Sequence, residues 1–186
     1  MKKCCEATQE TRAGGRVFLS RRDRRAPFSW PPLRKVLLRL LADHSVGGTL
    51  SLAVVGDGEI QRVHQEFLGL DTPTDVLSFA LGPADGSGPG GLFGEVVVSA
   101  EAALREARRR GLLPEEELAL YAIHGALHLV GFDDLDPASR RAMRRAERRY
   151  LALHTALRAP GEGLAAPSRR RPGLPGRARG RTERAP

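Results

Sequence analysis

The chain has 186 residues and a formal net charge of +8 at pH 7, and this length suits one catalytic domain with tails. Its two cysteines, Cys4 and Cys5, are adjacent near the N-terminus, so they exclude a disulfide framework and a CxxC metal knuckle and favour a reducing, intracellular compartment. The chain has no apolar run long enough to span a membrane, and its first residues lack the apolar block of a secretory signal. We therefore expect an intracellular protein without a membrane partner.

The positive charge is concentrated at the two ends of the chain. Residues 1–26 hold eight Lys and Arg against three Asp and Glu, and residues 159–186 hold seven Arg against two Glu. Basic ends suit a polyanion such as RNA, although solvated basic tails and an arginine-rich composition explain them as well. The C-terminal segment is rich in Pro, Gly and Arg and has no apolar periodicity. We therefore predict disordered segments at 1–14 and 159–186 around one domain at 15–158.

The apolar patterns of this domain predict alternating strands and helices, with strands early and helices late. In chain order they are a strand RVFLS, a helix from Pro31, a strand TLSLAVVG, a helix from Asp57, strands TDVLSFAL and LFGEVVVS around a glycine-rich loop, and helices from Ser99, Pro114 and Pro137. The last two strands are expected to form a hairpin. This order predicts an α+β fold, in which a small mixed β-sheet packs against helices.

The stretch HGALHLVGFDD holds the strongest candidate site. His124 and His128 lie four residues apart on one helical face, the separation at which two imidazoles can reach one metal ion. Gly131 can stop the helix and turn the chain back, which brings Asp133 or Asp134 toward that face as a third ligand and leaves a fourth position for water. An ordinary core histidine and turn-forming aspartates are the competing interpretation.

Two long motifs resemble the bacterial YbeY family. HGALHLVGFDD resembles the family's HGxLHLxGYDH, and DTPTDVLSFALG resembles its DxPTDVLSFP segment. FGEVVVSAEAA is similar to the family's LGDIxIS segment, and the spacing of Met143, Glu147 and Leu151 is similar to its MxxxExxxL helix. The resemblance spans about residues 48–155 and implies that the histidine helix is central to the fold.

The resemblance also implies an activity. Members of the family are metal-dependent endoribonucleases, so we expect a single-strand-specific enzyme that acts in maturation of small-subunit (16S) ribosomal RNA and in ribosome quality control. The implied partners are precursor ribosomal RNA and the small ribosomal subunit, in the cytoplasm, and no DNA partner is expected. One zinc ion per chain is the implied cofactor.

Carried over residue by residue, the family's first two zinc ligands fall on His124 and His128. Its third ligand, a histidine, falls on Asp134, a shorter and negatively charged residue that is still a legitimate zinc ligand through oxygen. Asp133 matches the family's own aspartate, and we take Asp133 and Glu95 as candidate acid/base catalytic groups.

A second departure from the family concerns an arginine. The family often has Tyr-Arg before the DxPTDVLSFP segment, where this chain has Phe67 and Leu68. The loss of that arginine supports an alternative function, a non-catalytic ribosome-assembly factor with a structural metal. A zinc metallopeptidase is a weaker alternative, because Gly125 stands where HExxH peptidases carry their glutamate base. His64 and His154 are expected at the edge of the core or on the surface.

Overall fold

The structure is a computed structural model that describes residues 14–158. The segments predicted to be disordered, 1–14 and 159–186, lie outside the described residues apart from residue 14, and remain predictions. No helix within 14–158 is both long enough and apolar enough to cross a membrane.

Every predicted strand and helix is present. The strands are β1 (Arg16–Arg21), β2 (Thr49–Val55), β3 (Val76–Ala80) and β4 (Leu92–Ser99). The helices are α1 (Trp30–Asp43), α2 (Asp57–Leu68), α3 (Ala100–Arg110), α4 (Pro114–Leu129) and α5 (Pro137–Leu157), and a short 3-10 turn at Pro89–Gly91 precedes β4.

The four strands form one mixed sheet in the order β1-β2-β4-β3. Strands β1 and β2 are parallel and are connected through α1, and β2 is also parallel to β4. Strand β3, which follows α2, runs antiparallel to β4 as the predicted hairpin. The register pairs Val76 with Val98 and Phe79 with Glu95. The expected α+β fold with a mixed sheet is therefore confirmed.

The two faces of the sheet are covered differently. Val96 and Val98 of β4 point into the main core, which also contains the buried side chains of α1 and α4. Val97 points the other way and packs with Leu77 and Ile60 in a smaller cluster beneath α2. Side chains alternate between faces along a regular strand, so this division assigns the residues of β4 from Gly94 onward, beyond the register shift at its start, to the α4 face or the α2 face.

Helix α4 is the central helix of the main layer, as expected. It contacts β3, β4 and the helices α1, α3 and α5, and it is buried around most of its circumference. Gly125 lets it approach the sheet: a Cβ there would lie 2.6 Å from Val96 Cγ1 and 2.8 Å from Ser78 Oγ. The Ser78 hydroxyl donates a 3.1 Å hydrogen bond to the carbonyl oxygen of Gly125, which positions α4 over β3 and β4.

Candidate metal centre

The centre is built on the last two turns of α4. His124 and His128 lie on one face with ring centroids 4.6 Å apart and planes nearly perpendicular. Their Nε2 atoms are 3.0 Å apart. The predicted pairing of the two imidazoles is thus present in the fold.

The hydrogen bond at Nδ1 sets the tautomer of each histidine ring. His128 Nδ1 lies 3.1 Å from the carbonyl oxygen of Phe132, and His124 Nδ1 lies 2.7 Å from Glu147 Oε1. A carbonyl and a carboxylate only accept, so both Nδ1 atoms carry the proton and, in the neutral rings, both Nε2 atoms present lone pairs. Two lone pairs that face each other at this distance require a cation between them, either a proton or a metal ion.

Asp134 completes a set of three donors. Its carboxylate and the two histidine nitrogens all lie within 4.8 Å of one another, and within residues 14–158 this is the one such group of His, Cys, Asp and Glu. Tetrahedral zinc with Zn–N bonds of about 2.0–2.1 Å separates two nitrogens by about 3.3 Å, close to the observed 3.0 Å. Two imidazoles and one carboxylate are a common zinc ligand set that leaves a position open, so these residues fit the ion.

The turn after α4 brings Asp134 back. Gly131 has a φ of 95°, which a glycine adopts without strain, and the amide of Phe132 donates a 3.0 Å hydrogen bond to the carbonyl of Leu127. Asp133 shapes the next step: its Oδ1 accepts from the amides of Asp134 at 2.6 Å and Leu135 at 3.1 Å. The two aspartates therefore differ in position, since Asp134 faces the histidines and one oxygen of Asp133 binds the backbone.

Glu95 is not brought to this centre. It lies on β4 between Gly94 and Val96, and its register partner Phe79 belongs to the cluster under α2. Its Oε1 accepts a 3.1 Å hydrogen bond from Ser51 Oγ on β2. Glu95 therefore occupies the α2 face of the sheet, on the opposite side from the histidines of α4.

Glu147 belongs to the site although no role was expected for it from the sequence. It comes from α5, and its hydrogen bond with His124 is the largest influence that raises the pKa of His124 above its ordinary value, against the opposing effect of burial. The charges of Glu147, Asp134 and Asp75 act in the same direction. This surplus of negative charge favours a cation between the rings. The only signal in the sequence was the Met143-Glu147-Leu151 spacing.

Comparison with known proteins decides the family. A family model described as endoribonuclease YbeY matches residues 32–154 of this chain. The chain belongs to the YbeY family. Proteins named endoribonuclease YbeY from Syntrophotalea carbinolica and Geobacter metallireducens are each 36% identical to it, over 77% and 74% of this chain and 97% and 95% of theirs. The solution structure of a Thermotoga maritima protein matches its fold with a TM-score of 0.51, at 23% identity, over 76% of this chain and 89% of that one.

Leu68 occupies the position of the family's arginine in this YbeY chain. Leu68 ends α2 and is 57% exposed, next to an equally exposed Phe67. A cleft of about 470 Å³ beside α4 contains Arg105 and Arg110, but its lining also includes Asp75 and Glu106. Arg105 pairs with Asp57 and Arg110 pairs with Glu106, so these two arginines do not supply unpaired positive charge in place of the missing one.

The position of Gly125 bears on the peptidase alternative. Any side chain at this position meets Val96 and Ser78 of the sheet. A glutamate base beside the first histidine, as HExxH peptidases use, therefore has no space in this YbeY chain.

Proposed function

We propose that this protein is a zinc-dependent endoribonuclease that cleaves single-stranded segments of precursor 16S ribosomal RNA. We place it in the cytoplasm, where it acts in maturation and quality control of the small ribosomal subunit. The observation that carries the proposal is the convergence of His124 Nε2, His128 Nε2 and the Asp134 carboxylate in a chain of the YbeY family. Its relatives are named as endoribonucleases, and their names support the reaction.

The side chains around the centre would have defined tasks. His124, His128 and Asp134 would hold one zinc ion, which when bound supplies a Lewis acid that polarises a phosphoryl oxygen and makes water more acidic. Glu147 would keep the proton of His124 on Nδ1, and the Phe132 carbonyl would do the same for His128.

Proton transfer is proposed for Asp133. Its Oδ1 accepts two backbone hydrogen bonds, whereas its Oδ2 has no hydrogen-bond partner among residues 14–158. One oxygen can therefore hold the turn while the other exchanges a proton with water or RNA. Glu95 has no part in this proposal, because the sheet separates it from α4.

The test is cleavage of a single-stranded RNA by the purified chain and two variants. His124→Ala and His128→Ala should each lose activity by at least about a hundredfold, since each removes a donor, while circular dichroism shows a retained fold. His64→Ala is the matched control, because His64 lies on α2, which packs on the other face of the sheet. Equal cleavage by all four proteins would contradict the proposal.

The alternative is a non-catalytic ribosome-assembly factor with a structural metal. It is favoured by the exposed Leu68, which carries no charge where the family often has an arginine. It predicts that chelation unfolds the protein and that the purified chain binds small ribosomal subunits without cleaving RNA. A folded, zinc-loaded protein that never cleaves RNA would make this alternative the better one.

A further inference from the structure

Helix α5 carries a dense set of exposed arginines. They are Arg140, Arg141, Arg144, Arg145, Arg148 and Arg149, and every one of them is exposed. The opposite side of the helix faces the core through Met143, Tyr150 and His154. The one acidic residue of the helix, Glu147, is turned inward to His124. The exposed charges on the outer surface of α5, between Arg140 and Arg149, are therefore all positive.

Helical geometry divides these arginines into two strips. Successive residues of a helix are about 100° apart, so Arg140, Arg144 and Arg148 lie about 20°, 60° and 100° round the helix from Glu147. We call these three the metal-side strip. The outer strip, Arg141, Arg145 and Arg149, lies about 120° to 200° from Glu147. Within a strip, neighbouring arginines are about 6 Å apart along the axis.

The metal-side strip begins at the metal centre. Arg140 Nε donates a 3.1 Å hydrogen bond to the carbonyl oxygen of Asp134, the proposed third ligand. Glu147, in the same helix, holds His124. The outer strip ends elsewhere, since Arg149 Nη2 pairs with Asp43 of α1 at 2.8 Å. The two strips thus have three arginines each but end at different parts of the surface.

Five of the six guanidinium groups have no acidic partner in the described part of the chain, since only Arg149 forms an ion pair and Arg140 binds backbone carbonyl oxygens alone. Arg141, Arg144, Arg145 and Arg148 have no hydrogen-bond or ion-pair partner in the described part of the chain. Elsewhere on the surface arginines do pair, as Arg109 does with Glu106 on α3. Unpaired arginines at regular spacing beside a site that handles phosphodiesters are suited to a polyanionic strand.

We propose that the metal-side strip of α5 binds the phosphate backbone of single-stranded RNA and leads it to the His124–His128–Asp134 centre. The inference rests on the proposed function for the identity of the strand. A repeat of about 6 Å on a straight helix offers one guanidinium to each of several successive phosphates, which binds without base specificity. The strip would therefore contribute affinity and direction, and not sequence preference.

The test compares two double variants of the full chain. Arg144→Gln/Arg148→Gln removes two charges from the metal-side strip, and Arg141→Gln/Arg145→Gln removes two from the outer strip. Glutamine keeps the helix propensity close to that of arginine. Binding of a fluorescent single-stranded oligoribonucleotide is measured by anisotropy over a range of salt concentrations. The two double variants and the parent protein with which they are compared all carry His124→Ala, so that the RNA stays intact. All three also keep the tail at 159–186.

The metal-side variant should bind about tenfold more weakly near 0.1 M salt, and the slope of log K against log salt should fall by about 0.7 for each lost phosphate contact. The outer variant should change affinity by less than about twofold, since its charges act only through a screened field. Without the His124→Ala change, the metal-side variant should retain zinc and show a raised KM.

Three results would overturn the inference. Equal losses of RNA affinity in both variants would mean that RNA is attracted by the general positive charge of α5. Unchanged affinity in both variants would mean that these arginines are only solvated surface residues. Unchanged RNA binding together with lost binding to small ribosomal subunits would mean an acidic protein partner. Failure of the proposed function can be distinguished from failure of this inference. A chain that never cleaves RNA but loses RNA affinity in the metal-side variant would refute catalysis and support RNA binding by the metal-side strip.

Discussion

Glu147 Oε1 of α5 lies 2.7 Å from Nδ1 of His124 on α4, so the carboxylate orients the imidazole that carries the first proposed ligand atom. Replacement by Ala removes that orientation and the charge, and we expect zinc affinity to fall by about 10- to 100-fold. The zinc affinity of Glu147→Gln should lie between those of wild type and Glu147→Ala, because its amide oxygen still accepts the hydrogen bond. Competition with a chromophoric chelator measures the affinity. Glu106→Gln, on α3, is the control, and an unchanged affinity in Glu147→Ala would contradict the role.

Metal content should identify the ligands. Elemental analysis of the wild-type chain should find about one zinc, and His124→Ala, His128→Ala and Asp134→Asn should each lose most of it, because each removes one of three donors. Asp133→Asn should keep its zinc, since an asparagine oxygen can accept the same turn hydrogen bonds. Zinc retained in Asp134→Asn but lost in Asp133→Asn would exchange the roles of the two aspartates.

Asp133→Asn should separate metal binding from catalysis. The variant keeps the turn but cannot take up a proton, so RNA cleavage should fall by about 10² or more, the typical contribution of an acid/base group. Glu95→Gln is the matched carboxylate control and should cleave like wild type, because Glu95 lies on the α2 face and binds Ser51. Single-turnover cleavage rates at constant zinc occupancy make the comparison. The reverse order of effects would restore Glu95 as the acid/base group.

Gly125→Ala should destabilise the protein. The new Cβ would lie 2.6 Å from Val96 Cγ1, and overpacking of this kind costs about 1–3 kcal/mol, more than the gain in helix propensity of about 1 kcal/mol. Gly58→Ala in α2 is the control, because a Cβ there meets nothing within 4 Å and should be neutral or stabilising. Urea unfolding measures both free energies. A stabilised Gly125→Ala would show that α4 can move away from the sheet.

His154 should make stability depend on pH. It is buried, against the expectation of an edge or surface position, and neither ring nitrogen has a hydrogen-bond partner among residues 14–158. Burial lowers its pKa, and Arg158 acts in the same direction, while Glu115, 3.9 Å away, opposes them. This distance is too long for a hydrogen bond or a strong ion pair, so desolvation prevails and the pKa of His154 is lowered.

A lowered pKa in the folded state means that the unfolded chain binds the proton more tightly. The stability is therefore complete above the unfolded pKa of about 6.5 and declines as pH falls below it. His154→Leu removes this titration, so wild type should lose more free energy of unfolding than the variant between about pH 7.5 and 5.5. Urea unfolding at several pH values tests it, and parallel pH profiles would contradict the prediction.

The sequence by itself determined the features that are local in the chain. Apolar spacing located every strand and helix, because periods of 2 and 3.6 residues follow directly from strand and helix geometry. The i and i+4 spacing put His124 and His128 on one face. The motif around them also indicated the family, and a glycine after the helix indicated the turn that returns Asp134.

Only the tertiary structure decided which distant side chains join them. Glu147 reaches His124 because α5 packs on α4, a contact between residues 23 positions apart. Glu95 is separated from the histidines because strand pairing turns it to the α2 face, and a shift of the register by one residue would reverse that face. Such contacts depend on packing between elements, which a one-dimensional pattern does not contain, whereas spacing within one helix is set by the backbone alone.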